Sequence, residues 1–131
     1  MIQIRLGAGG GEKLVVASLS DVGCVRSNNE DSERVHPGED PERGNLLIVA
    51  DGMGGAAGGE IASRLAVEKV REVYFAPDTK GTPVEALGSA IDAANSAIYL
   101  KSEDDTSLVG MGTTCTAVVI VGRRLFFGHV G

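Results

Sequence analysis

The sequence predicts an α+β fold with at least part of its sheet antiparallel, and three observations carry that expectation. Two runs rich in β-branched and aromatic residues, 113–121 and 125–130, are joined only by Gly122-Arg123-Arg124, and so short a connector links antiparallel strands. The uncharged run Leu46-Leu47-Ile48-Val49-Ala50 reads as a buried strand. Two stretches between the strand candidates carry apolar residues at helical spacing, in an order that does not suit a parallel βαβ sheet.

Taken in order, Met1 to Leu6 followed by Gly7-Ala8-Gly9-Gly10-Gly11 reads as a tail or short leading strand with a glycine connector. Residues 1–13 are thus set apart from a single unit of 14–131. Residues 14–20 and 32–35 are expected strands on either side of an Arg26 to Asp31 loop, and 36–44, rich in proline and acidic residues, is a solvated connection. After the strand 46–50 and a glycine turn, Ile61, Leu65, Val70 and Val73 predict an amphipathic helix over 60–74. Thr82-Pro83-Val84-Glu85 supplies an N-cap, a first-turn proline and a capping-box glutamate, and Leu87, Ile91, Ala94 and Ile98 form the apolar stripe of a second helix. A polar loop precedes the last two strands.

At 131 residues, with 43% hydrophobic and 23% charged residues, the chain suffices for one globular core. A net charge of −6 argues against nucleic acid or an anionic membrane as the main partner and suits cation binding. No apolar run approaches the ~20 residues of a membrane span, and the N-terminus lacks the apolar core of a secretory signal. Cys24 and Cys115, far apart in sequence, are expected to be reduced thiols in a cytoplasmic protein. His36 and His129 have no zinc-ligand spacing.

The chemistry concentrates in two clusters. Asp51 ends the apolar run, where a carboxylate is costly unless a cation or a donor meets it, and Gly52-Met53-Gly54-Gly55 follows. Asp51 is either a metal ligand or the N-cap of the next helix. Upstream, Arg26-Ser27-Asn28-Asn29-Glu30-Asp31 brings one guanidinium and two carboxylates together, as either a surface ion pair or part of a site for a metal and a phosphate. Gly52-Met53-Gly54-Gly55-Ala56-Ala57 also matches a dinucleotide fingerprint, but Asp51 would sit where the pyrophosphate belongs, and Glu68 and Glu72 fall inside the helix instead of ending a second strand.

Residues 20–32, Asp51-Gly52-Met53-Gly54-Gly55, Gly110-Met111-Gly112-Thr113-Thr114 and Phe127-Gly128-His129-Val130-Gly131 together resemble the first motifs of the metal-dependent Ser/Thr protein phosphatases, the protein phosphatase 2C or PPM family, in bacterial wording. The resemblance implies a β-sandwich flanked by helices in α-β-β-α layers, of which this chain would be the N-terminal part. It also implies two or more Mn²⁺ or Mg²⁺ ions, a phosphorylated protein substrate and a signalling role opposing a Ser/Thr kinase. Asp51 would bridge two metals and Gly52 would offer its carbonyl to one of them. Glu30 and Asp31 would hold the ions directly or through water, and Arg26 would clamp the substrate phosphate.

The chain departs from the family pattern in two places. Met53 stands where many eukaryotic members have a histidine proposed as general acid, and a thioether donates no proton. The family's pattern continues after Gly131 with further aspartates, so these 131 residues alone are expected to be inactive and to self-associate through residues 118–130. A non-catalytic pseudo-phosphatase or regulatory interaction module is the alternative on the same fold.

Overall fold

A computed structural model describes residues 2–9, 13–24 and 27–131. The order of elements is β1 (Ile2–Gly9), β2 (Lys13–Ser20), β3 (Asp31–His36), β4 (Asn45–Met53), α1 (Gly55–Tyr74), α2 (Pro83–Asp104), a 3₁₀ turn (Thr106–Leu108), β5 (Gly112–Thr113), β6 (Cys115–Val121) and β7 (Arg124–Val130). Strands β1 and β2 form an antiparallel hairpin, and the other five make one antiparallel sheet in the order β3-β4-β6-β7, with β5 also paired to β4. The α+β expectation holds. Both neighbours of β4 are antiparallel, so the parallel βαβ unit of the dinucleotide reading is not formed there.

Alternation along the strands selects one sheet face for the helices. Leu46, Ile48 and Ala50 of β4 and Cys115, Ala117 and Val119 of β6 point into a core completed by Ala66, Val67, Val70 and Tyr74 of α1 and by Ala86, Leu87, Ala90 and Ala94 of α2. The alanines at four-residue spacing on α2 let the two helices approach closely, since a methyl group fills little of the interhelical space. Helix α2 also lies directly on β7, because a Cβ on Gly128 would come within 2.5 Å of Ile91 Cδ1. On the hairpin side, Ser18 Oγ of β2 donates to Glu33 Oε2 of β3 at 2.5 Å.

The main departures from the sequence reading lie around the glycines and at Thr114. Strand β4 continues through Asp51 and Gly52 to Met53, and α1 begins at Gly55 instead of at residue 60. The single residue Gly54, at φ 131°, turns the chain from strand to helix in a conformation closed to other L-residues. Gly58 and Gly59 are therefore helical, where their low helix propensity had argued for a turn. The expected strand 113–121 is interrupted at Thr114, although β5 and β6 keep one register against β4.

The second helix starts as its sequence dictates: Thr82 accepts from the Glu85 amide while Glu85 returns to the Thr82 amide at 2.8 Å. The hairpin between β6 and β7 closes through Gly122, at φ 57°, and Arg123. No helix among the described residues is long and apolar enough to cross a membrane.

Candidate metal and phosphate site

The site is built where β3, β4 and β5 meet. Register places Asp31 of β3 directly opposite Asp51 of β4, so both carboxylates leave the same face of the sheet on adjacent strands. Like charges in that relation destabilise a sheet unless a cation intervenes. Asp31 is fixed from below by its own loop: its amide donates to Asn29 Oδ1 at 3.2 Å, and Asn29 Nδ2 donates to Ser20 Oγ at 2.7 Å, tying the loop to β2.

On its other side Asp51 faces Thr114. The Thr114 amide donates to the Asp51 carbonyl at 2.9 Å, as an antiparallel ladder requires, but the Asp51 amide donates to Thr114 Oγ1 at 3.2 Å instead of to a carbonyl. The Thr114 carbonyl accepts from Thr113 Oγ1 at 2.8 Å. A hydroxyl thus replaces one backbone acceptor beside the acidic pair, which is why the strand is interrupted at that residue.

Gly52 is buried, and its amide donates to the Glu30 carbonyl at 3.1 Å. A Cβ there would lie 2.0 Å from the Gly59 carbonyl oxygen and 2.6 Å from that of Glu30, so strand, loop and helix are in backbone contact. Gly59 meets the same junction from α1: a Cβ on it would be 2.9 Å from Glu30 Cδ, Gly52 C and Met53 N. The Glu30 side chain consequently rests on the helix backbone. Glycine at 52 answers first to this three-way contact.

Asp21, Val22, Asn28, Asn29, Glu30, Asp31 and Asp51 line an open polar cleft of about 230 Å³. All four of its acids offer oxygen, the donor type of Mg²⁺ and Mn²⁺, while no imidazole or thiolate lines it. Among the described residues, no three His, Cys, Asp or Glu side chains converge closely enough to hold an ion between them. The donor chemistry fits a hard divalent cation, with a coordination shell that these carboxylates fill only in part.

Of the expected site residues, Glu30, Asp31, Asp51 and Gly52 come together. Arg26 lies outside the described residues. The N-cap alternative for Asp51 is not realised, since Gly54 occupies that position and no side chain caps α1. The Asp51 side chain is exposed at the cleft, not buried at the end of its strand, because the strand continues past it. Met53 is 56% exposed. Asp21 and Asn29 also line the cleft, and Thr114 and Gly59 adjoin it, although the sequence singled out none of the four; the first three stand inside the family-like motifs, and the spacing from Gly52 to Gly59 carries no signal until strand meets helix.

Elsewhere, Cys24 is exposed and Cys115 buried, each a free thiol. Burial pushes the Cys115 thiol up to about 11. His129 Nδ1 shares a hydrogen bond of 2.8 Å with Thr116 Oγ1, the role of a surface strand residue.

Residues 25–131 match the family described as protein phosphatase 2C, and the chain belongs to that family. It is 44% identical over 116 residues to the serine/threonine protein phosphatase PstP of Mycobacterium tuberculosis, covering 88% of this chain and 21% of that protein. With the serine/threonine phosphatase stp of Listeria monocytogenes it shares 34% over 115 residues, 86% of this chain and 45% of the other. The crystal structure of the PstP catalytic domain in complex with two manganese ions superposes with a TM-score of 0.73 at 38% identity, over 100% of this chain and 49% of that one. The chain therefore spans half or less of the length of these relatives.

Proposed function

We propose that the chain is the N-terminal portion of a metal-dependent phosphatase acting on phosphoserine and phosphothreonine in proteins. The observation that carries this reading is the facing pair Asp31 and Asp51 in a cleft whose four acids all offer oxygen. Further support is that the related PstP domain was crystallised with two manganese ions.

Asp51 and the Gly52 carbonyl would hold the ions, with Glu30 and Asp31 contributing directly or through water. Bound there, divalent metal supplies Lewis acidity and a nucleophile from water at neutral pH. Arg26 binds the phosphate oxygens with a two-pronged fork that lysine does not offer. Thr114 and Asn29 keep the two aspartates in place, and Met53 leaves the proton for the departing alkoxide to come from elsewhere. The substrate is a phosphoprotein modified by a Ser/Thr kinase in the cytoplasm. Strand β7, at the edge of the described sheet with Leu125 54% and Phe127 72% exposed, would mediate self-association of the 131 residues alone.

The test is a calorimetric Mn²⁺ titration of the full-length protein, together with hydrolysis of a phosphothreonine peptide. We expect saturable Mn²⁺ binding, Mn²⁺-dependent turnover, and a raised KM or lowered kcat for Arg26→Ala. Absence of both binding and turnover would leave the non-catalytic alternative.

A further inference from the structure

We propose that Met53 is a specificity-determining residue whose thioether chain receives an apolar side chain next to the phosphorylated residue of the substrate. This rests on the phosphatase reading above for the identity of the substrate, and adds to it a preference among phosphoproteins.

Strand β4 runs past the acidic pair to Met53, so alternation puts Asp51 and Met53 on the same sheet face, with buried Gly52 between them. Two residues of extended strand separate the two Cα atoms by roughly 7 Å at ~3.4 Å per residue. Met53 is nonetheless 56% exposed. Register sets it opposite Gly112 of β5, and a Cβ on Gly112 would lie 3.7 Å from Met53 Cγ and 3.8 Å from Met53 Cε. The side chain therefore lies across bare backbone, supported from the β5 side and open to solvent on the other. Single exposed apolar side chains are ordinary on protein surfaces. This one is set apart by sharing a face and a strand end with the acidic pair.

Its backbone is fixed by the same junction that builds the site. A Cβ on Gly59 of α1 would come within 2.9 Å of the Met53 amide nitrogen. A Cβ on Gly54, the next residue, would meet Met111 Cα at 2.6 Å and the Gly110 carbonyl oxygen at 3.1 Å. Met53 is thus carried at a set distance from Asp51 while its own chain stays adaptable. A substrate whose phosphoryl group enters the acidic cleft brings the adjoining residue, one peptide step of ~3.8 Å away, over the rim where Met53 lies. Carboxylates give an apolar side chain no favourable contact there, whereas an unbranched thioether with three rotatable bonds packs against side chains of different shape. Contact removes apolar area from water on both partners, which favours substrates with an apolar neighbour.

The experiment compares full-length wild type with Met53→Ala, Met53→Gln and Met53→Leu on two phosphothreonine peptides, one with leucine and one with alanine on both sides of the phosphothreonine, and records the thermal midpoint of each protein. We expect wild type to favour the leucine peptide about fivefold in kcat/KM, through KM, as burial of a few methylene groups provides. The ratio should fall to near one in Met53→Ala and Met53→Gln and persist in Met53→Leu. A wild-type ratio near one, or a ratio that survives in Met53→Gln, would overturn the proposal. So would an equal loss on both peptides, or a lowered thermal midpoint in Met53→Gln with the ratio intact, since either makes Met53 a support of the fold. Equilibrium titration with the two peptides separates this inference from the phosphatase reading. A Met53-dependent preference in binding without turnover upholds the contact and sinks the phosphatase; turnover of both peptides with no Met53-dependent preference does the reverse.

Discussion

Asp51 is held by its backbone and free at its carboxylate, and the two parts respond differently to substitution. Asp51→Asn keeps both hydrogen bonds to Thr114 and removes one charge of the pair facing across β3 and β4, so metal-free stability should equal wild type or exceed it by up to about 1 kcal/mol. Mn²⁺ binding in the full-length protein should fall sharply. Thr114→Val removes the acceptor of the Asp51 amide and should also weaken Mn²⁺ binding, whereas Thr114→Ser retains the hydroxyl and stays close to wild type. Calorimetry on the three variants checks this, and wild-type affinity in Asp51→Asn would remove that residue from the site. The cysteines give a second residue-scale prediction. Exposed Cys24 should react at once with a thiol reagent at pH 8, while Cys115, buried and pushed up to about 11, should react only on unfolding.

At the scale of elements, the contact between β4 and α1 is a backbone junction with no room for a methyl group. Gly59→Ala would improve intrinsic helix propensity by about 1 kcal/mol, yet its Cβ meets two backbone atoms and the Glu30 side chain at 2.9 Å. Overpacking of this kind costs about 1–3 kcal/mol, so the net effect should be destabilising, as a denaturant titration can show. The start of α2 is governed by local chemistry instead. Thr82→Ala should cost about 1 kcal/mol by removing the cap. Glu85 has its pKa lowered, first by the Thr82 amide and then by the Thr82 hydroxyl. Its folded value lies below its unfolded one, so its contribution is present above the unfolded pKa of ~4.3 and disappears as pH falls through the folded value. The stability gap between wild type and Glu85→Gln should therefore close on acidification, and a gap that widens would contradict the assignment.

Across the whole molecule, the four acids of the cleft come from the segment after β2, from the start of β3 and its preceding loop, and from β4, so an ion bound there ties separate parts of the sheet together. Mn²⁺ should raise the thermal midpoint of the full-length protein while NAD⁺ leaves it unchanged. A shift with NAD⁺ alone would reverse the assignment. By themselves the 131 residues should hydrolyse p-nitrophenyl phosphate negligibly, because the described carboxylates do not complete a coordination shell.

Elements ruled by local pattern were legible in the sequence: the capping box of α2, the apolar strand at 46–50, and the hairpin through Gly122. Each is specified by neighbours within a few residues, where dihedral preference and side-chain periodicity act directly. Of the candidate site, the acids of the cleft Asp51, Glu30 and Asp31 could be singled out from charge placed beside an apolar run and from motif order. Tertiary structure alone decided that Asp31 faces Asp51, that a threonine 63 residues away accepts the Asp51 amide, and that Gly52 and Gly59 touch. Those relations depend on strand register and on how a helix lies across a sheet, and both are set by packing over the whole core, which no local window contains.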